Sequence, residues 1–261
     1  MQKAVLITGA GTGIGKDTAK RLVARGHKVY ASTHHESEVD SLQAELGTGA
    51  TVFKLDVTNA EDRLQIANLN LDVLVNNAAQ SESGSLAEID INRVRRLFEV
   101  NVFSSLELSQ IAIKSMIGRG GGTVIFISSI VGRVPAPFLM PYSMTKFALS
   151  AAAAGLREEM KKLGKGIHVS VVEPGPFKTG FNQKMSDSRF EWMEKGSLFS
   201  KDQIEQMKNE TNKTLNWLEA NSTDSIVSKI VAATEAREPK LRYVAPLQFA
   251  LLVRLLRILG K

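Results

Sequence analysis

Short apolar or β-branched runs alternate along the chain with longer stretches in which apolar residues recur at helical spacing. The short runs predict strands over Ala4–Thr8, Lys28–Ser32, Thr51–Leu55, Val73–Asn76, Thr123–Ile127, His168–Glu173 and Leu241–Val244. Most are continuous rather than alternating, as expected of strands covered on both faces. Between them the spacing predicts helices over Gly13–Arg25, Ser37–Leu46, Ile91–Gly118 and Ser143–Leu163. This order is that of an α/β fold, a doubly wound seven-stranded parallel sheet flanked by helices, with ligands expected at the carboxyl ends of the strands.

No repeat or linker divides the sequence, so residues 1–261 are expected to form a single dinucleotide-binding and catalytic domain. Two segments leave the alternation. Pro174–Glu219 opens rich in Pro and Gly and becomes polar and helix-prone, which marks about 175–220 as a lid region. Leu247–Lys261 is apolar with Arg254, Arg257 and Lys261 at spacings of three and four, an amphipathic C-terminal helix. It is too short and too charged to span a bilayer, and packing against protein is favoured over peripheral membrane contact.

The composition is that of an ordinary globular protein, with 43% hydrophobic and 23% charged residues. The formal charge of +6 does not point to nucleic acid, because Lys and Arg are spread along most of the chain instead of forming one stripe. With no cysteine, disulfides, a Cys nucleophile and a Cys-ligated metal are excluded, and no metal site is expected. The apolar run after Met1 is too short for a secretory signal, and the chain is read as cytoplasmic.

Thr8-Gly9-Ala10-Gly11-Thr12-Gly13-Ile14-Gly15 lies between the first strand and the first helix. Glycine there allows a tight turn and close backbone approach to a pyrophosphate, and the helix N-terminus beyond offers unpaired N–H groups and a favourable dipole. This is the pattern of a Rossmann-type dinucleotide loop, though a glycine cluster by itself also fits a plain tight strand-to-helix turn. The second strand ends in Ser32-Thr33-His34-His35, with no carboxylate until Glu36 to hold the ribose hydroxyls. Thr33 and His34 leave room for a 2′-phosphate, so NADP(H) is favoured while NAD(H) stays open.

The ordered motifs then resemble the short-chain dehydrogenase/reductase family from roughly Lys3 to Thr179. They comprise the glycine loop, Asp56-Val57 after the third strand, Asn76-Asn77-Ala78-Ala79 after the fourth and Asn101 in the long helix. Ser129 follows the fifth strand, then Tyr142-x-x-x-Lys146, then Pro174-Gly175 after the sixth. The resemblance implies Tyr142 as general acid/base, with Lys146, one helical turn away, lowering its pKa and binding the nicotinamide ribose. It implies Ser129 as the group holding the substrate oxygen and Asn101 as holder of a proton-relay water. Gly9, Thr12, Gly13, Ile14, Gly15, Asp56, Val57, Asn77, Ala78, Pro174, Gly175 and Thr179 would contact the cofactor. Ala79 stands where the family usually has Gly, and only Thr58 to Asp72 separates the third-strand motif from the fourth strand, too little for the usual helix.

The reaction implied is hydride transfer between a nicotinamide cofactor and an alcohol or ketone. Val131, Val134, Pro135, Phe138, Leu139 and Met140, with Phe177, Phe181, Met185, Trp192 and Met193, suggest a hydrophobic substrate. Arg133–Phe138 and Glu173–Phe177 are similar to the branch holding steroid and retinol dehydrogenases. Members of that family commonly assemble as dimers or tetramers through the long helices, for which Ile91–Gly118 and Ser143–Leu163, the latter with a small face at Ala148 and Ala151–Gly155, are suitable surfaces. Two alternatives stay open, an NAD-linked polyol or sugar alcohol dehydrogenase and a catalytically silent cofactor-binding regulatory protein.

Overall fold

The computed structural model describes residues 1–259; Lys261, expected among the cations of the tail, lies outside the described residues. In chain order the elements are β1 (Ala4–Ile7), α1 (Gly13–Ala24), β2 (Lys28–Thr33), α2 (Val39–Leu46), β3 (Ala50–Lys54), α3 (Ala60–Leu64), β4 (Val73–Asn76), α4 (Ile91–Phe98) and α5 (Ser104–Gly118). They continue with β5 (Gly122–Ile127), α6 (Met140–Leu163), β6 (Ile167–Pro174), α7 (Phe181–Met193), α8 (Lys201–Leu218), α9 (Asp224–Glu235), β7 (Arg242–Ala245) and α10 (Leu247–Ile258).

All seven strands are parallel in the order β3-β2-β1-β4-β5-β6-β7. The pleat sends alternate residues to opposite faces, and the sequence supplies large apolar side chains to both. Val5, Ile7, Val29 and Ala31 pack against α1, α2 and α9, while Leu6, Leu74, Val124, Phe126 and Val171 pack against α5 and α6. Every one of these side chains is buried, so each contributes about 1.5–3 kcal/mol of transfer free energy for a Val-to-Phe-sized group and somewhat less for alanine. The strand order reverses between β1 and β4, which opens a crevice at their carboxyl ends.

Four comparisons with the sequence expectations are informative. The stretch Ile91–Gly118 is not one regular helix: a π-helical turn at Glu99–Phe103 separates α4 from α5. The connection before β4 is as short as its length implied, with α3 of five residues followed by a 3₁₀ turn at Gln65–Asn68. Helix α9 was not anticipated, although Ile226, Val227, Ile230 and Val231 form its buried stripe. In α10, Phe249 and Val253 dock on the protein, but Leu247, Leu251, Leu252, Leu255, Ile258 and Leu259 are exposed, so packing against this chain covers only one face. Among the described residues no helix is long and apolar enough to cross a membrane.

Candidate active site

The glycine loop is fastened to the end of β4 by a cluster of hydrogen bonds. The Thr8 hydroxyl accepts from the amides of Asn77 (3.0 Å) and Ala78 (2.9 Å), and Asn77 Nδ2 donates to the carbonyls of Thr8 (2.9 Å) and Gly9 (3.0 Å). The approach admits no side chain at two positions. A Cβ on Gly9, whose φ is +64°, would stand 2.8 Å from Ala78 Cα, and one on Gly15 would stand 2.6 Å from the Gly9 carbonyl. Thr12 caps α1 without a side-chain hydrogen bond, leaving amides of the first turn for a ligand. Gly9, Thr12, Gly13, Ile14, Gly15, Asn77, Ala78 and Ala79 all line one cavity, a cradle that suits a pyrophosphate.

The far end of this cavity is edged by His34, His35, Glu38, Asp56, Val57 and Thr58. Thr33 is not on its wall: it is buried, and its hydroxyl donates to the His35 carbonyl (3.0 Å). The imidazoles of His34 and His35 meet edge-on at 4.4 Å, and His34 Nδ1 lies 3.8 Å from Asp56 Oδ1. Burial alone would push the Asp56 carboxyl up, but the Thr58 amide and hydroxyl, with His34 and Lys54 nearby, hold it below its ordinary value. The carboxylate that turns inward is Glu38 rather than Glu36. A 3₁₀ turn at Glu36–Glu38 carries it back until Oε2 is 3.3 Å from where a Gly11 Cβ would sit.

Ser129, Tyr142 and Lys146 come together in the middle of the same cavity. Ser129 follows β5 and caps the turn Ile130–Gly132: its Oγ accepts from the Val131 amide (3.3 Å) and donates to the Pro174 carbonyl (3.3 Å). Tyr142 and Lys146 project from the first turns of α6, with Lys146 Nζ 5.3 Å from the centroid of the tyrosine ring. Nζ donates to the Ile127 carbonyl (2.8 Å), and the Lys146 carbonyl accepts from Ser128 Oγ (2.9 Å). Gly132 makes this join tight, since a Cβ there would stand 2.6 Å from the Lys146 carbonyl oxygen.

Burial governs the charge of both groups. It pulls the Lys146 ammonium down to about 7 and pushes the Tyr142 phenol up. Burial is the cause of both shifts in this packing. At neutral pH Tyr142 is a phenol, the form that gives a proton.

Asn101 falls in the π-helical turn, and its side chain does not reach the cavity. Oδ1 accepts from the Gln80 amide (2.8 Å), and Nδ2 donates to the Gln80 carbonyl (3.0 Å) and to Thr145 Oγ1 (3.1 Å). These bonds engage the amide that was expected to hold a relay water, and they join the strand β4 loop to α6. Pro174, Gly175 and Thr179 do line the cavity, with Thr179 Cβ 3.1 Å from where a Gly13 Cβ would sit.

Helices α7 and α8 roof the remaining space, for a total cavity of about 880 Å³. Ser83 Oγ donates to the Met185 carbonyl (3.0 Å), and Arg93 bridges Glu82 (2.7 Å) and Ser188 (2.8 Å), fastening α7 to the body. Of the expected apolar walls, Val131, Phe138, Leu139, Phe177, Phe181 and Met185 face the cavity. Trp192 and Met193 instead pack the lid's own core with Phe190 and Ile204, while Val134, Pro135 and Met140 are off the wall. The sequence reading missed Met207, Leu215 and Leu218 from α8, Phe249 from α10, and the charged Arg189. Apolar spacing in α8 was the one available signal for the first three.

The profile of the short chain dehydrogenase family matches residues 3–189. The uncharacterized oxidoreductase YbbO of Escherichia coli K12 is 32% identical over 200 residues, 73% of each chain. The NADPH-dependent 3-dehydrocapnine reductase of Ornithobacterium rhinotracheale is 29% identical over 253 residues, 92% of this chain and 86% of the relative. A short-chain dehydrogenase from Streptomyces avermitilis superposes over 100% of this chain and 95% of its own, with a TM-score of 0.82 at 27% identity. The glycine-loop fold and these likenesses lead to one conclusion: the chain belongs to the short-chain dehydrogenase family of oxidoreductases.

Proposed function

We propose that this protein is an NADP(H)-linked carbonyl reductase or alcohol dehydrogenase for a substrate with a largely apolar body, working as one dinucleotide-binding and catalytic unit in the cytoplasm. The observation that carries the reading is the meeting of Ser129, Tyr142 and Lys146 in the cavity that the glycine loop opens into. When bound, the nicotinamide supplies or accepts the hydride. Gly9, Thr12, Gly13, Ile14 and Gly15 would hold the pyrophosphate, Asp56 and Val57 the adenine end, and Pro174, Gly175 and Thr179 the nicotinamide end. Asn77 and Ala78 line the middle, where Asn77 also fixes the loop.

Ser129 Oγ turns its hydroxyl from the Pro174 carbonyl to the substrate oxygen, and Tyr142 Oη gives that oxygen a proton as the alcohol forms. In the opposite direction the group must first be the phenolate to take the alcohol's proton, and its raised pKa makes the neutral phenol the resting form. Lys146, anchored on Ile127, helps position the ribose and supplies positive charge when protonated. Asn101 acts by holding the Gln80 loop and α6 in register.

His34 and His35 support the preference for a 2′-phosphate, as does the relative named for NADPH dependence. Glu38 favours the second reading, NAD(H), because a carboxylate beside Gly11 suits free ribose hydroxyls and repels a phosphate. Calorimetric titration with NADPH and NADH separates the two: tighter NADPH binding, weakened in His34→Ala, is expected, and tighter NADH binding, lost in Glu38→Gln, would reverse the assignment. Self-association is proposed through the exposed side of α6, where Phe147, Ala151 and Gly155 reach the surface.

A further inference from the structure

The lid carries a buried cation that neither the fold nor the hydride chemistry uses. Arg189 is 5% exposed, lines the cavity and has no carboxylate partner among the described residues. Its guanidinium lies 4.3 Å from the Phe190 ring centroid and 6.0 Å from that of Phe138. One Nη donates to Thr211 Oγ1 (2.7 Å) on α8, and Nε is buried without a partner. The other charged side chains of the lid that line the cavity, Lys184 and Glu210, are both exposed, and Glu210 accepts from Gln206 (2.8 Å).

Guanidinium stays protonated in proteins, and its burial without a counter-ion is unfavourable. Stacking on aromatic rings and one neutral hydrogen bond offset only part of that. A guanidinium that borders a cavity with N–H capacity left over and no counter-ion is an arrangement that accepts an oxyanion. The surrounding wall is apolar: Phe138, Met185, Met207 and Leu215 border the same space.

We propose that Arg189 binds an oxyanion on the substrate, so that the substrate class is an amphiphile with an apolar chain and an acidic group, of which the carboxylate is the simplest form. This rests on the reading of the cavity as a carbonyl-reducing site and narrows it from a hydrophobic ketone to an acidic one. Thr211 holds the guanidinium in place, and it lies against the Phe190 ring and near that of Phe138. The reducing centre and the acidic end are then recognised by different elements, Ser129 and Tyr142 from the body and Arg189 from the lid.

The test is binding without turnover. Decanoate, nonyl sulfate and decanamide share one nine-carbon alkyl chain and differ at its end, and calorimetry gives their Kd for the full chain saturated with NADPH, whose own binding is titrated first. The acidic ligands are expected to bind at least about tenfold more tightly than the amide, the range for a charge-assisted hydrogen bond. Arg189→Met should erase that ratio while leaving decanamide binding nearly unchanged, and Arg189→Lys should keep part of it. Equal affinity of all three ligands for the wild type, or an unchanged ratio in Arg189→Met, would overturn the proposal. Should Arg189→Met not fold, the wild-type ratio and Arg189→Lys still decide. NADPH binding without anion preference would remove the proposal alone, whereas loss of NADPH binding would strike the oxidoreductase reading itself.

Discussion

Lys146 Nζ stands 5.3 Å from the Tyr142 ring centroid and donates to the Ile127 carbonyl, so a lysine and a phenol share one buried space at the end of β5. The Lys146 ammonium has lost most of its hydration, which is why its pKa falls to about 7. A depressed folded-state pKa for a lysine means that the unfolded chain holds more protons between about 7 and the ordinary value of 10.5. Stability linked to this group therefore rises as pH rises through that window and is lowest below it. Urea unfolding of wild type and Lys146→Met across pH 6–10 should show their difference moving in favour of wild type with rising pH. A pH-independent difference would contradict a buried, depressed Lys146.

The cradle at the glycine loop gives a second expectation. Gly9→Ala adds a Cβ at a φ of +64° and 2.8 Å from Ala78 Cα, so the loop or the β4 end must shift. A loss of about 1–3 kcal/mol is expected from the strained backbone. Cofactor affinity should fall with it, because the shift withdraws the loop from the pyrophosphate. Thermal unfolding and NADPH titration of the same sample read both effects.

Asn101 gives a third. Removing its amide in Asn101→Ala leaves the Gln80 N–H and C=O without their partners in a part-buried setting, where water can replace them in part, at about 0.5–1.5 kcal/mol for each hydrogen bond lost. A lowered Tm, with kcat falling more than NADPH affinity, is expected of a residue that holds α6 in register. Unchanged Tm with lost turnover would return Asn101 to a direct role in proton relay.

These positions also show how far the sequence reaches. The strands were legible because burial on both faces leaves uninterrupted apolar runs such as Val73-Leu74-Val75, and the motif residues because each must sit at a strand end or helix start. The π turn was not, since Ile91–Gly118 keeps an unbroken helical pattern and only the reach of Asn101 to Gln80, across the fold, reveals the altered register. Thr33 was misplaced by a hydroxyl that turns to its own strand end. Glu38 and Arg189 depend on how a short turn and a lid fold back over the crevice, which no local pattern encodes. Arg189 reads in sequence as one more surface cation.

The apolar lid gives a fourth expectation. Met185 and Phe181 pack with Tyr142 and Leu97, so α7 closes directly over the phenol. Met185→Ala should cost about 2–5 kcal/mol of stability, as truncation of a buried methionine does. It should also raise KM for long apolar ketones more than for short ones, measured with a chain-length series.

The most direct test follows NADPH consumption with a panel of aliphatic ketones and keto acids, in wild type and Tyr142→Phe. The hydroxyl removed is the proposed proton donor, and general acid catalysis is worth about 10²–10⁴ in rate. Turnover by wild type, with a loss of that size in Tyr142→Phe and NADPH affinity kept, is the expected result. Undiminished turnover in Tyr142→Phe, or no NADPH or NADH binding by wild type, would contradict the assignment of Tyr142 and of the reaction.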